Sequence, residues 1–244
     1  MQISKYIRIA FVQLASIFCI SKRSKVIFYH DIHSKNRYTD MSTPIELFKK
    51  HINIIKDSGY EIVSGITKEH GQIEICFDDA FLGVYENIDF LKKLNVPIHL
   101  FVVSSYLNRK NHIIREQLLE LNQLELIKIS SHTHTHKILN QTHKEEVEYE
   151  FRNSKKVLED LIGAPVESVC YPEGKFNNRV IQIADQVGYK KQYSSIPSFF
   201  YDRLKGNVIG RSLVQFAGKK EFKSIIKGGD HIFSFWYKLK HFKK

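Results

Sequence analysis

Two adjacent carboxylates, Asp78 and Asp79, close the apolar run Ile73-Glu74-Ile75-Cys76-Phe77, and further along Ser131-His132-Thr133-His134-Thr135-His136 places three imidazoles within five positions. Neighbouring carboxylates are not cheaply buried and ionised together, because like charges at close range raise one of the two pKa values. A divalent cation relieves that repulsion, and one carboxylate with two imidazoles is a donor set suited to it. His132 and His136 share a face in a helix, whereas in an extended chain all three histidines point one way, so spacing alone leaves His134 open. An Asp-Asp pair by itself is commonly a turn or helix start, and a histidine run by itself a surface tract. Both following strand-like runs in one chain point to a shared site. His30, after Val26-Ile27-Phe28-Tyr29, and Arg211, after Val208-Ile209, stand at equivalent places.

The elements that must position these groups alternate. Val26 to Tyr29 reads as a buried strand, and Thr43-Pro44-Ile45-Glu46 as a capped helix start leading to Gly59. Strands follow over residues 73–77 and 98–103, separated by a helix marked by Ile88, Leu91 and Leu94. Another strand at 126–130 leads into His132, and Thr142 to Glu145 reads as the cap of a helix carrying Val147, Phe151, Leu158 and Leu161 to Gly163. Val169 to Tyr171 is a strand, 180–187 a helix ending at Gly188, and Val208-Ile209 a late strand. Strands alternating with helices predict parallel α/β architecture, open or closed into a barrel, with functional groups at the carboxyl ends of strands. With 244 residues and 43% of them hydrophobic, the chain can bury one large core, and no linker or repeat marks an internal boundary.

Cys76-Phe77-Asp78-Asp79-Ala80-Phe81 resembles the T-F-D-D-G motif of the polysaccharide deacetylases, the NodB-homology superfamily or carbohydrate esterase family four, and Ser131 to His136 resembles that family's H-(S/T)-x-x-x-H motif. Tyr171-Pro172-Glu173-Gly174-Lys175-Phe176-Asn177 and Tyr29-His30-Asp31 are similar to segments of its poly-N-acetylglucosamine deacetylase branch. The resemblance covers roughly residues 26–215 and implies a deformed (β/α) barrel. It further implies metal ligation by Asp79, His132 and His136, with zinc as the default ion and cobalt or nickel able to serve. Asp78 would be the general base, paired with Arg211, and His30 the general acid in a permuted arrangement, since no late L-x-H motif is present and His231 does not match one. Tyr171, Pro172 and Gly174 would contact substrate, with a backbone N–H near Tyr171 at the oxyanion. The implied activity is hydrolysis of N-acetyl groups from an amino-sugar polysaccharide or lipid-linked glycan. Deformylation or deacetylation of a small or lipid-linked sugar, and glycan binding without turnover, are the other readings. Ala80 and Cys76 depart from the motif's glycine and threonine, and Glu173 adds a carboxylate beside the groove.

The ends differ from the middle. Residues 1–25 carry five Lys/Arg and no acid, and residues 205–244 carry ten against Glu221 and Asp230, leaving the middle slightly acidic within a total of +11. A nucleic-acid binder places its basic patch on the folded domain, so no nucleic acid is expected. The basic and aromatic stretch from Phe233 to Lys244 suits peripheral contact with an anionic membrane, a solvated tail being the other reading. Ile7 to Ile20 is too short to span a bilayer and lacks a small-residue cleavage site, so it reads as an amphipathic helix that packs on the domain or touches a membrane. Three cysteines without close spacing suit a reducing compartment. The expected organisation is an N-terminal segment 1–25, a catalytic domain 26–215 and a C-terminal segment 216–244, in a cytoplasmic or membrane-peripheral setting. Secretion or anchoring through the N-terminal segment is the alternative.

Overall fold

The computed structural model describes residues 5–18 and 22–242, so Cys19 and the last two lysines lie outside the described residues. Helix α1 (Lys5–Phe18) precedes strand β1 (Lys25–Tyr29). The short strands β2 (Asp31–His33) and β3 (Ser42–Pro44) pair with each other before helix α2 (Ile45–Asp57). Strands β4 (Glu61–Val63) and β5 (Gln72–Asp78), helices α3 (Leu82–Glu86) and α4 (Ile88–Leu94), and strand β6 (Ile98–Val102) follow. Then come α5 (Arg115–Asn122), β7 (Ile127–Ser131), α6 (Lys144–Ile162), β8 (Ser168–Cys170), α7 (Asn178–Val187) and β9 (Lys191–Ser194). The chain ends through β10 (Ile209–Gly210), β11 (Ser212–Leu213), α8 (Lys219–Ile226), a 3-10 turn (Gly229–Phe233) and α9 (Ser234–His241).

The main sheet runs β10-β9-β8-β7-β6-β5-β1-β11, with β4 also on β5, and its pairings are parallel. Its two end strands, β10 and β11, are consecutive in the chain with Arg211 alone between them. One extended segment therefore touches both edges and closes the sheet into a nearly complete, deformed (β/α) barrel, as the sequence motifs imply.

Strand alternation divides the core. Val26, Phe28, Cys76, Phe101, Cys170 and Tyr193 fill the barrel, while Ile27, Tyr29, Ile73, Ile75, Phe77 and Val169 pack outward under the helices. Glu74, Cys76 and Asp78 belong to the same inward file of β5. At its foot Glu74 bonds His99 Nδ1 (2.6 Å), and His99 Nε2 bonds Ser130 Oγ (2.7 Å), a buried polar network beneath the site. Burial lowers the His99 pKa to about 4, with Glu74 opposing it, so the ring is neutral at pH 7.

Two expected helix starts differ. Thr43 lies in β3, where its hydroxyl donates to the carbonyl of Gln215 (2.9 Å), and Pro44 precedes α2 without a side-chain cap. The hydroxyl of Thr142 donates to the carbonyl of Ile138 (3.0 Å), and α6 starts uncapped after His143. In both cases a tertiary or local acceptor takes the hydroxyl that would otherwise reach the helix N–H groups.

Candidate active site

Asp78 is the last residue of β5, on the inward file, and strand alternation would turn Asp79 outward. A left-handed turn prevents that: Asp79 (φ 70°) and Ala80 (φ 55°) leave the strand with positive φ, so the second carboxylate is also aimed over the barrel mouth. A left-handed Ala is strained by about 1 kcal/mol, which accounts for the glycine of the motif it resembles.

The second loop is built similarly. His132 follows β7, and Thr133 (φ 67°) and His136 (φ 64°) are left-handed, so the segment is neither the helix nor the extended strand considered from spacing. His132 Nε2 and His136 Nε2 each lie 3.6 Å from Asp79 Oδ1. Three donors bound to one ion at about 2.0–2.1 Å sit about 3.3 Å apart in tetrahedral geometry, so this spacing fits a shared cation better than direct hydrogen bonds. Asp79 Oδ1 is buried without a hydrogen-bond partner, the kind of orphan that a cation satisfies. His132 Nδ1–H donates to the carbonyl of Cys170 (2.8 Å), which leaves the Nε2 lone pair available for ligation. Burial lowers the His132 pKa to about 3, so the ring is neutral, as ligation requires. His134 is drawn away, its Nδ1 bonded to Ser104 Oγ (2.8 Å) and its ring against Tyr149. Asp78, His132 and Cys170 also converge. That set is a poorer metal site, because Arg211 occupies both Asp78 oxygens and burial pushes the Cys170 thiol well above its usual range.

Arg211 is 1% exposed and forks onto Asp78 with two hydrogen bonds of 2.7 Å, its guanidinium stacked over Phe28 and Phe101. Burial pushes the Asp78 carboxyl up, but the charge and hydrogen bonds of Arg211 outweigh it and hold the pKa at about 2. Burial, with Asp78 adding to it, raises Asp79 to about 6 against the opposing charge of His30. Adjacent carboxyls are thus driven apart, one by a cationic partner and one by the lack of it. His30 Nδ1–H donates to Gln215 Oε1 (2.7 Å), so Nε2 is the ring atom left to exchange a proton.

His30, Asp78, Asp79, His132, His136 and Arg211 line one cavity of about 690 Å³, to which Tyr171, Glu173 and Gly174 also contribute. The three residues expected to contact substrate divide, with Tyr171 and Gly174 at the cavity wall and Pro172 away from it. Pro172 is buried and opens a 3-10 turn but does not line the cavity. The Tyr171 side chain is fully buried, stacked on Phe176 and bonded to Gln192, and its N–H donates to the carbonyl of Tyr193 (2.9 Å), so that N–H is committed to the sheet. Gly174 (φ 67°) is required by packing, because a Cβ there would fall 2.0 Å from Ser195 Oγ. His231 stacks on Phe199 and does not line the cavity.

Two supporting residues have no counterpart in the sequence reading. Gln215 orients His30. Glu150 of α6, 1% exposed, accepts the N–H groups of His134 (2.9 Å) and Thr135 (2.7 Å) and the hydroxyl of Thr135, clamping the turn between His132 and His136.

Known proteins resemble this chain in sequence and in fold. The chain is 26% identical over 183 residues to Bacillus subtilis YxkH, itself assigned to the polysaccharide deacetylases, covering 70% of this chain and 64% of that protein's length. Among solved structures, the fold is similar to the Streptococcus pyogenes deacetylase PplD (TM-score 0.72, 19% identity, covering 83% of this chain and 96% of that one). It is also similar to IcaB from Ammonifex degensii (TM-score 0.71, 18% identity, 85% and 98% covered). Residues 65–191 match the polysaccharide deacetylase family, a span that contains both the Asp78-Asp79 turn and the His132 to His136 loop. More than half of the chain carrying that match, this protein belongs to the polysaccharide deacetylase family.

Proposed function

We propose that the chain hydrolyses the N-acetyl groups of an amino-sugar glycan, poly-N-acetylglucosamine being the type its motifs resemble, to give acetate and a free amine. The observation that carries this reading is the opening of two carboxylates of opposite electrostatic character, Asp78 fixed by Arg211 and Asp79 against two neutral imidazoles, into one cavity. Asp79, His132 and His136 would hold one divalent ion, with zinc favoured by two imidazoles and a carboxylate and cobalt or nickel compatible with the same donors. Such an ion would polarise the acetyl carbonyl and acidify the attacking water, which matters because a carboxyl held near pKa 2 is a weak base on its own. Asp78 is the proton acceptor, already ionised and kept in place by the Arg211 fork. His30, with Nδ1–H committed to Gln215, presents Nε2 to protonate the departing sugar amine. The proton taken from water and the proton given to the amine thus pass through different residues.

The test measures acetate released from N-acetylglucosamine oligomers and, for contrast, from O-acetylated glycans, together with metal content of wild type, Asp79→Ala and His132→Ala. Wild type is expected to hold one ion per chain and to release acetate from the N-acetylated substrates, and either variant to lose both properties. Release from O-acetyl esters alone would overturn the amide reading, and a stoichiometric metal retained in an Asp79→Ala/His136→Ala chain would overturn the ligand assignment.

A further inference from the structure

Helix α1 is seated inside out. Its inner face carries Val12 and Ser16 against Gly229, where a Cβ would come within 2.1 Å of the Val12 carbonyl, and Arg8 paired with the buried Glu221 of α8. Its outer face carries Phe11 (51% exposed), Leu14 (57%) and Phe18 (79%), at the i, i+3, i+7 spacing of one stripe, flanked by Tyr6 and Ile17. A helix folded only to cover a soluble domain turns its apolar stripe the other way. The last 3-10 turn and helix repeat the pattern: Ile232 of the turn and Phe235, Trp236 and Leu239 of α9 are each about half exposed or more, at i, i+3, i+4 and i+7. Both α1 and α9 pack on the same Gly229–Phe233 turn.

The charges around these stripes have one sign. Helix α1 contains no acid, and neither does the chain from His231 to Phe242. Lys220 and Lys223 stand exposed on α8, against which α1 packs, Lys227 just after it, and Lys238 and Lys240 on α9. A second copy meeting this face through a two-fold axis would set lysine against lysine. A surface of anionic head groups over acyl chains complements cations and apolar stripes together, and Trp and Tyr favour that boundary. At 14 residues α1 is about 21 Å long, short of the roughly 30 Å hydrocarbon core, and no described helix is long and apolar enough to cross a membrane.

We propose that α1 and α9 form a face that seats on an anionic bilayer and that the glycan worked on is one borne by that membrane. Arg8 of α1 and Phe233, Tyr237 and Lys240 at the other helix wall the same cavity as His30 and Asp78, so seating the face brings the cavity wall to the head groups. The docking stands independently of the catalytic reading; the choice of a membrane-borne substrate rests on it.

Trp236 is the single tryptophan of the chain and lies on the proposed face, so its emission reports directly. Full-length protein is titrated with vesicles of phosphatidylcholine containing phosphatidylglycerol, and co-flotation is measured in parallel. The expected result is a blue shift with flotation, weakened several-fold but not abolished by raising salt, because charge is screened and apolar insertion is not. Leu14→Glu/Phe18→Glu keeps the probe and should lower vesicle affinity at least about tenfold. Phe235→Ser/Leu239→Ser should do the same, which guards against one variant failing to fold by circular dichroism. Absence of shift and flotation in wild type, unchanged binding of both variants, or a blue shift on concentration without vesicles, which marks self-association, would each overturn the docking. Acetate release from a soluble N-acetylglucosamine oligomer and from one anchored to the vesicles separates the two readings. Docking without release from either substrate removes the catalytic reading and leaves the docking, whereas equal rates on both remove the membrane-borne substrate.

Discussion

The Glu150 clamp gives the sharpest test of how the loop from His132 to His136 is held. Thr133 and His136 are both left-handed, and each non-glycine residue in that region costs about 1–2 kcal/mol, or 2–4 kcal/mol for the pair. Glu150 accepts three hydrogen bonds from the residues between them. Bonds to a charged acceptor contribute roughly 1.5–3 kcal/mol each, enough to offset the strain, whereas a single neutral bond would not. Glu150→Ala removes all three and strands two N–H groups, so the turn is expected to relax and carry His136 away from Asp79. Stability should fall by roughly 2–4 kcal/mol in urea unfolding of the metal-free protein, and metal affinity by about 10- to 100-fold, the usual effect of losing a partner that supports ligands. Glu150→Gln should do much less, because one amide oxygen can accept both N–H groups while its NH2 turns to the Thr135 hydroxyl. Competitive titration of zinc against a chromophoric chelator reads the affinity. If Glu150→Ala folded and bound zinc as wild type does, the turn would be self-supporting and the clamp argument wrong.

His30→Ala should retain the metal and lose about 100- to 10,000-fold in turnover, the usual span for a general acid, while His231→Ala should be nearly silent; the reverse result would place the acid on the last turn. His51 is buried between the Tyr29 hydroxyl and the Ala217 carbonyl, and burial lowers its pKa to about 4, so below pH 6.5 the unfolded chain binds the proton that the folded one refuses. Stability is therefore present at pH 7 and falls as pH drops toward 4, and wild type should lose roughly 2–3 kcal/mol more than His51→Gln between pH 7 and 4.5 in urea unfolding; parallel profiles would refute the assignment.

What could be read from the sequence was what repeats with a local period. Largely apolar stretches located the strands of five or more residues, β1, β5, β6 and β7, and the apolar spacing of α4, α6 and α7 located those helices, with Gly163 and Gly188 at the left-handed ends of α6 and α7. Strands of two to four residues such as β4, β9 and β11 carry too few residues to show alternation, and Lys191-Gln192-Tyr193-Ser194 is polar at three of its four positions. They exist because neighbouring strands offer unpaired N–H and carbonyl groups. The site divides on the same line. The Asp78-Asp79 pair and the histidine run were each visible because their own members are close in sequence, but choosing His136 over His134 from the chain's geometry depends on two left-handed residues, which spacing does not encode. Gln215 meets His30 from 185 residues away, and no local signal marks it. Glu150 did leave one: with Val147, Phe151, Ser154 and Leu158 it lies on the buried face of α6, and a carboxylate on an apolar stripe must find donors somewhere. Here the donors are the N–H groups of His134 and Thr135. The same reasoning inverted applies to α1, where apolar residues stand on the solvent side of a helix that turns Arg8 and Ser16 to the protein, so an outward partner is implied by the burial pattern and not by composition.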